Sequence, residues 1–101
     1  MTSTEIVESK QTLPPAAIWE HISRLAIIED KPIMLDYWND SLEKKVLIGV
    51  KNDGEKLLVK NSEEYTSPVS KIYKTNNCYI ICTENSIYLT SSDIPSKQIN
   101  N

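Results

Sequence analysis

The first regular pattern along the chain is helical and begins directly after two prolines. Thr12 provides a capping hydroxyl ahead of Pro14-Pro15, and proline is tolerated in the first turn of a helix. Three apolar residues then recur at i, i+4 and i+7, namely Ile18, Ile22 and Leu25. An apolar stripe of this kind predicts an amphipathic helix over residues 15–29 that packs against a core. Residues 1–12 follow neither a helical nor a strand period, so we expect a flexible tail there.

After Lys31-Pro32 the apolar period changes to two, which is typical of strands. The alternation predicts six strands, over residues 33–38, 45–51, 56–60, 67–74, 78–83 and 86–90. Asn52-Asp53-Gly54 is a strong hairpin signal between the second and the third strand. Because short turns connect the strands, consecutive strands are expected to be antiparallel neighbours.

These elements predict one α+β domain over residues 13–91. In it, an N-terminal helix packs on a six-stranded antiparallel meander that curves toward an SH3-like or small open barrel. Residues 92–101 are mostly polar and are expected to form a second flexible tail, in which Ile94-Pro95 offers a final contact with the domain.

Composition and charge narrow the class of protein. The 101 residues carry a net charge of −3, so the chain lacks the positive excess of a strong, non-specific nucleic-acid binder. Residues 1–43 hold three basic and eight acidic side chains (−5), residues 44–74 hold seven and four (+3), and residues 75–101 hold one and two (−1). The two central hairpins are therefore locally basic on an acidic protein.

The chain shows no membrane or export signal. No apolar run approaches the roughly 20 residues of a membrane span, and Met1–Glu5 has no basic or long apolar segment. We expect a soluble, intracellular protein without contact to a membrane.

Tyr37 and Trp38 are the first candidate site. Neighbouring residues of a strand point to opposite faces, so only one of the two rings could enter the same core. The other ring is expected to be exposed or covered by a partner, and exposed aromatic side chains are typical anchors of interfaces. This pair predicts binding of a protein partner or self-association.

The basic hairpins provide an alternative site, formed by lysine and tyrosine side chains. Its members are Lys60, Lys71, Tyr73, Lys74 and Tyr79. Tyr79 can lie across from Tyr73, and small β-barrels use such surfaces to stack bases and hold phosphates. Ordinary cross-strand packing with lysines that protect a sheet edge explains the same residues.

Residues for catalysis or metal binding are scarce. His21 is the single histidine, and Cys78 and Cys82 fall four apart in a strand, about 13 Å, whereas a disulfide needs Cα atoms within about 7 Å. Neither cysteine nor histidine has metal-ligand spacing. We therefore expect free thiols, no cofactor or metal, and a protein that is not an enzyme.

Two segments of the chain, TSPVSKI at residues 66–72 and TENSIYL at residues 83–89, are similar to a pattern in other proteins. They resemble a pattern in small, uncharacterised β-rich proteins of bacteriophages, viruses and other mobile elements. The resemblance brings no active site with it and implies an accessory protein. The sequence thus predicts a non-enzymatic protein that binds another protein, as an inhibitor or as a component of a virion or assembly, with nucleic-acid binding by the central hairpins as the alternative.

Overall fold

The computed structural model describes residues 13–99, which form an α+β fold with one main helix and two mixed four-stranded sheets. The predicted tail over residues 1–12 lies outside this part of the chain. The helices are α1 (Ala16–Glu29) and α2 (Trp38–Leu42). The strands are β1 (Ile33–Met34), β2 (Leu47–Val50), β3 (Lys56–Asn61), β4 (Glu64–Tyr65), β5 (Val69–Thr75), β6 (Cys78–Thr83), β7 (Ile87–Ser91) and β8 (Ser96–Gln98).

Helix α1 forms where the apolar stripe predicts it. Its N-terminal cap is Pro15, whose carbonyl accepts a bond from the Ile18 N–H at 3.0 Å, and no side chain caps this end. Asp30 ends the helix in the left-handed conformation, with φ of 56°, and donates its N–H to the Ala26 carbonyl. Ile18 and Ile22 are fully buried.

Sheet 1 is the central layer of the fold, with strand order β1-β7-β6-β5. Helix α1 packs on one of its faces, and the core there combines the two helix isoleucines with Cys78, Ile80 and Cys82 of β6 and with Leu89 of β7. Sheet 2, with strand order β4-β3-β2-β8, covers the opposite face. The second core lies between the sheets and includes Ile48, Leu58 and Ile81.

The expectation of a six-stranded antiparallel meander holds for the local hairpins and fails for the whole. Strands β2 to β4 and β5 to β7 are antiparallel neighbours, as short turns require. However, β1 pairs in parallel with β7, and β8 pairs in parallel with β2, through long connections that the turn pattern does not reveal. Two stacked sheets result instead of an SH3-like barrel.

The strand predicted over residues 33–38 is the largest local error. Only Ile33–Met34 is a strand, and Trp38–Leu42 is helical. The Ser41 hydroxyl donates to the Trp38 carbonyl at 2.6 Å and accepts from the Ser91 N–H at 2.8 Å. This buried bond to β7 ties the α2 turn to sheet 1, a contact between residues fifty positions apart.

The C-terminal segment belongs to the folded domain as far as the structure describes it, so the domain boundary predicted at residue 91 is corrected. Ile94 is buried, and the Ile48 N–H donates to the Pro95 carbonyl at 2.8 Å. Ile99 lies over Gly49, where a Cβ atom would come within 2.7 Å of the isoleucine side chain. The small residue in β2 therefore makes room for the chain that follows β8.

We expect Ile94→Ala to lower the free energy of unfolding by about 2–5 kcal/mol, because it removes a buried side chain between the sheets. Lys97→Ala, on an exposed position of β8, is the control and should change stability by less than about 0.5 kcal/mol. Denaturant unfolding of both variants measures the difference. Equal, small effects would show that the segment does not contribute to the core.

A second prediction concerns two buried threonines. Among the described side chains, Thr90 Oγ1 is buried without a hydrogen-bond partner, whereas Thr83 Oγ1 accepts from the Ser86 N–H at 3.2 Å. Thr90→Val should therefore raise the free energy of unfolding by about 1 kcal/mol, and Thr83→Val should lower it by a similar amount. Opposite signs in thermal or denaturant unfolding are the expected result, and equal signs would contradict it.

Candidate functional site

Tyr37 and Trp38 are both buried, with 5% and 6% of their surface exposed, so the expectation of one exposed ring is wrong. Tyr37 caps α2 with φ of −102° and ψ of −1°, and the two residues therefore do not alternate as they would in a strand. Trp38 packs in the core beneath α1, and Tyr37 packs in the core between the sheets. The prediction that they anchor a partner required one exposed ring, and neither ring is exposed.

Tyr37 is instead part of a charged and aromatic cluster whose charged side chains are partly exposed. The Lys60 ammonium lies 4.7 Å from the centre of its ring and 3.1 Å from the Asp40 carboxylate. The ring of Tyr88 meets that of Tyr37 edge-on at 5.5 Å. Burial raises the pKa of Tyr37, and the nearby Glu64 carboxylate raises it further. Lys60 thus links β3 to α2, and its charge is paired with the carboxylates of Asp40 and Glu64.

The five residues of the alternative nucleic-acid site do not form one surface. Tyr73 pairs with Ile80, and Lys71 pairs with Cys82, so both point to the α1 side of sheet 1. Lys74 pairs with Tyr79, and this pair points to the opposite side.

The expected contact of Tyr73 with Tyr79 is therefore wrong, because the register offsets the two rings by one residue. Lys60 lies in the other sheet, on β3. A bulge between Val69 and Lys71 also turns Val69 toward the second core, away from the face that Lys71 and Tyr73 share.

The cysteines and the histidine lie in different environments. Cys78 and Cys82 are free and buried, and burial raises the pKa of both thiols. His21 is exposed on α1. Within residues 13–99 no three or more His, Cys, Asp or Glu side chains gather in a group that could hold a metal ion.

One concave surface beside sheet 1 is a groove between α1 and β5, which we call the α1–β5 groove. It has a volume of about 540 Å³ and is lined by His21, Arg24, Leu25, Ile28, Ile72, Tyr73, Lys74, Thr75 and Ile80. Helix α1 packs over β1, β6 and β7 and leaves β5 uncovered on this face. Two apolar side chains on its rim are exposed, Ile28 to 69% and Tyr73 to 38%.

The charge of the α1–β5 groove is one-sided. Its lining includes Arg24 on α1, and Lys74 stands at the β5 edge with its side chain on the opposite face of sheet 1, while no acidic side chain of residues 13–99 lines the groove. Arg24 lies 3.8 Å from Glu20 on the solvent side of the helix, where both side chains are exposed and the attraction is weak. An apolar floor with a basic rim is suited to an acidic partner that also has apolar side chains.

A second apolar surface lies on the outer face of sheet 2. A depression of about 420 Å³ is lined there by Lys51, Leu57, Val59, Asn61, Ser62, Tyr65 and Ile99. Tyr65 is 57% exposed. Sequence patterns identified Tyr73 for another role and missed Ile28 and Tyr65. Ile28 stands beside the predicted apolar stripe of the helix and could have been recognised as a surplus apolar residue.

No protein-family model, curated protein or solved structure matches this chain. Neither helix within residues 13–99 has the length and hydropathy to cross a lipid bilayer.

We expect neither single- nor double-stranded oligonucleotides to bind at low salt, because the rings of Tyr73 and Tyr79 lie on opposite faces of sheet 1 and Lys60 is engaged internally. Fluorescence anisotropy of labelled oligonucleotides measures this. Affinity that falls steeply with salt, and falls further in both Tyr73→Ala and Tyr79→Ala, would contradict the prediction.

Proposed function

We propose that this protein acts without catalysis, by binding another protein in the α1–β5 groove. The observation that carries the proposal is the exposure of Ile28 and Tyr73 beside an apolar floor that α1 leaves open. The proposed binding site is therefore the groove at β5, an outermost strand of sheet 1, and no longer Tyr37 and Trp38, which are buried.

The composition of the groove supports a protein partner. Tyrosine and arginine are enriched at the energetic centres of interfaces, and Tyr73 of β5 and Arg24 of α1 both line the groove. Ile28 and Tyr73, exposed to 69% and 38%, supply apolar surface that binding would remove from water. The groove thus offers both anchors and a floor for side chains of a partner.

The biological setting of the proposal is that of a small accessory protein of a bacteriophage, virus or mobile element, acting as an inhibitor or as a component of a virion or assembly. The resemblance that motivates it lies on residues 66–72 and 83–89, which build parts of sheet 1. Thr83 closes the turn before β7 by accepting the N–H groups of Asn85 and Ser86. The host-cell cytoplasm and the virion are the locations that this setting implies.

A photo-crosslinking amino acid, p-benzoylphenylalanine, at position 73 tests the proposal in cells of the source organism. We expect a discrete covalent adduct with a protein, because the ring at this position lies at the mouth of the groove. Placing the same amino acid at position 65, an exposed tyrosine of sheet 2, is the matched control and should not yield that adduct. Ile28→Glu in the position-73 variant should reduce the adduct at least tenfold.

Circular dichroism first establishes that each variant is folded. Equal adducts from positions 73 and 65, or no adduct from position 73, would contradict the proposed site. An adduct that survives Ile28→Glu unchanged would contradict the role of the groove.

A further inference from the structure

We infer that the partner presents an extended acidic segment, which adds to sheet 1 as a further strand beside β5. The inference rests on the proposed function, since it names the kind of partner that the same groove binds. Its physical basis is an open strand edge that borders a basic, apolar groove.

The first observation is the free edge of β5. Among residues 13–99, β5 pairs with β6 on one side and with no strand on the other. Thr75 and Cys78 close a two-residue hairpin through Asn76 and Asn77, which have φ of 52° and 61°. Since paired residues alternate along an antiparallel ladder, Ile72 and Lys74 turn their N–H and C=O groups to the open edge.

The second observation is that the groove reaches this backbone. Four consecutive residues, 72–75, line it, although side chains of a strand alternate between faces. The beginning of β5 differs, because Gly54 and Glu55 of the β2–β3 turn and Lys56 of β3 line a gap of about 340 Å³ beside it. A segment that enters the α1–β5 groove would thus meet unpaired N–H and C=O groups at its wall.

The third observation is charge. Lys74 stands on the open edge and has no ion pair within residues 13–99. Arg24 lies on the helix side of the groove, and Lys71 lies next to the strand edge, 3.8 Å from Glu29. Because the side chains of a strand alternate between faces, the acidic residues of an incoming strand would lie beside Lys74 on the face toward sheet 2, while its apolar side chains contact the groove on the α1 face.

The same charges disfavour a second copy of the chain that pairs with β5 in the antiparallel register centred on Tyr73. If β5 paired with itself in antiparallel fashion about Tyr73, Ile72 would stand opposite Lys74. The two copies of Lys74 would then lie on one face in the diagonal position, about 7–8 Å apart. Like charges at that spacing oppose pairing, whereas an acidic strand is attracted.

The experiment uses the full-length ¹⁵N-labelled protein and a synthetic peptide in which glutamate and valine alternate over seven residues. We expect the peptide to slow amide hydrogen exchange of Ile72 and Lys74 at least tenfold, because their N–H groups become hydrogen-bonded. A peptide with lysine in place of glutamate should bind at least tenfold more weakly.

Two controls separate strand addition from charge attraction. Lys74→Glu should weaken binding of the acidic peptide at least tenfold, whereas Lys97→Glu, an exposed lysine on edge strand β8, should leave it unchanged. Two further peptides are N-methylated at every second residue, one at the odd and one at the even positions. One of them should lose binding and the other should keep it, because only alternate N–H groups of the added strand face β5.

Several results would overturn the inference. If exchange of Ile72 and Lys74 is already slow in the free protein, a rate that is independent of concentration assigns the edge to residues 1–12, and a rate that falls as concentration rises assigns it to a second copy. Equal binding of both peptides, or tolerance of both N-methylation patterns, excludes an acidic strand. If the peptide fails but the crosslink at position 73 persists, the proposed function stands and this inference falls.

Discussion

The burial of β6 on both faces is the constraint on which the rest of the structure depends. Its sequence alternates between two cores: Cys78, Ile80 and Cys82 face α1, and Tyr79 and Ile81 face sheet 2. A strand that is apolar on both sides requires a layer on each, so the short chain must provide a helix for one face and a second sheet for the other. The three-layer order follows from this strand.

The open groove is a consequence of that architecture. Four strands about 4.8 Å apart span about 14 Å between the outermost strands, whereas a helix is about 10 Å wide. Helix α1, with Ile18 and Ile22 centred on the core over β6 and β7, cannot also cover β5. The uncovered strand keeps an exposed tyrosine and an edge that no strand within residues 13–99 pairs with, and these are the features that a partner can use.

The acidic first part and the basic middle part of the sequence form ion pairs with each other in the structure. Asp40 and Glu29 come from the acidic first part of the chain, and they pair with Lys60 and Lys71 of the basic middle part. These pairs are partly exposed and contribute little stability, but they reduce the basic charge that a nucleic acid could meet. Lys74 remains without such a partner among the described residues, beside the open edge.

The sequence by itself determined α1, the hairpins β2–β3, β5–β6 and β6–β7, and the free thiols, because each depends on contacts within a few residues or on strand spacing alone. Only the tertiary structure decided the parallel pairings of β1 and β8, which join residues about fifty positions apart. It also decided that both Tyr37 and Trp38 are buried. The bond from the Ser91 N–H to the Ser41 hydroxyl ties α2 to sheet 1, and local alternation carries no information about a contact between such distant residues.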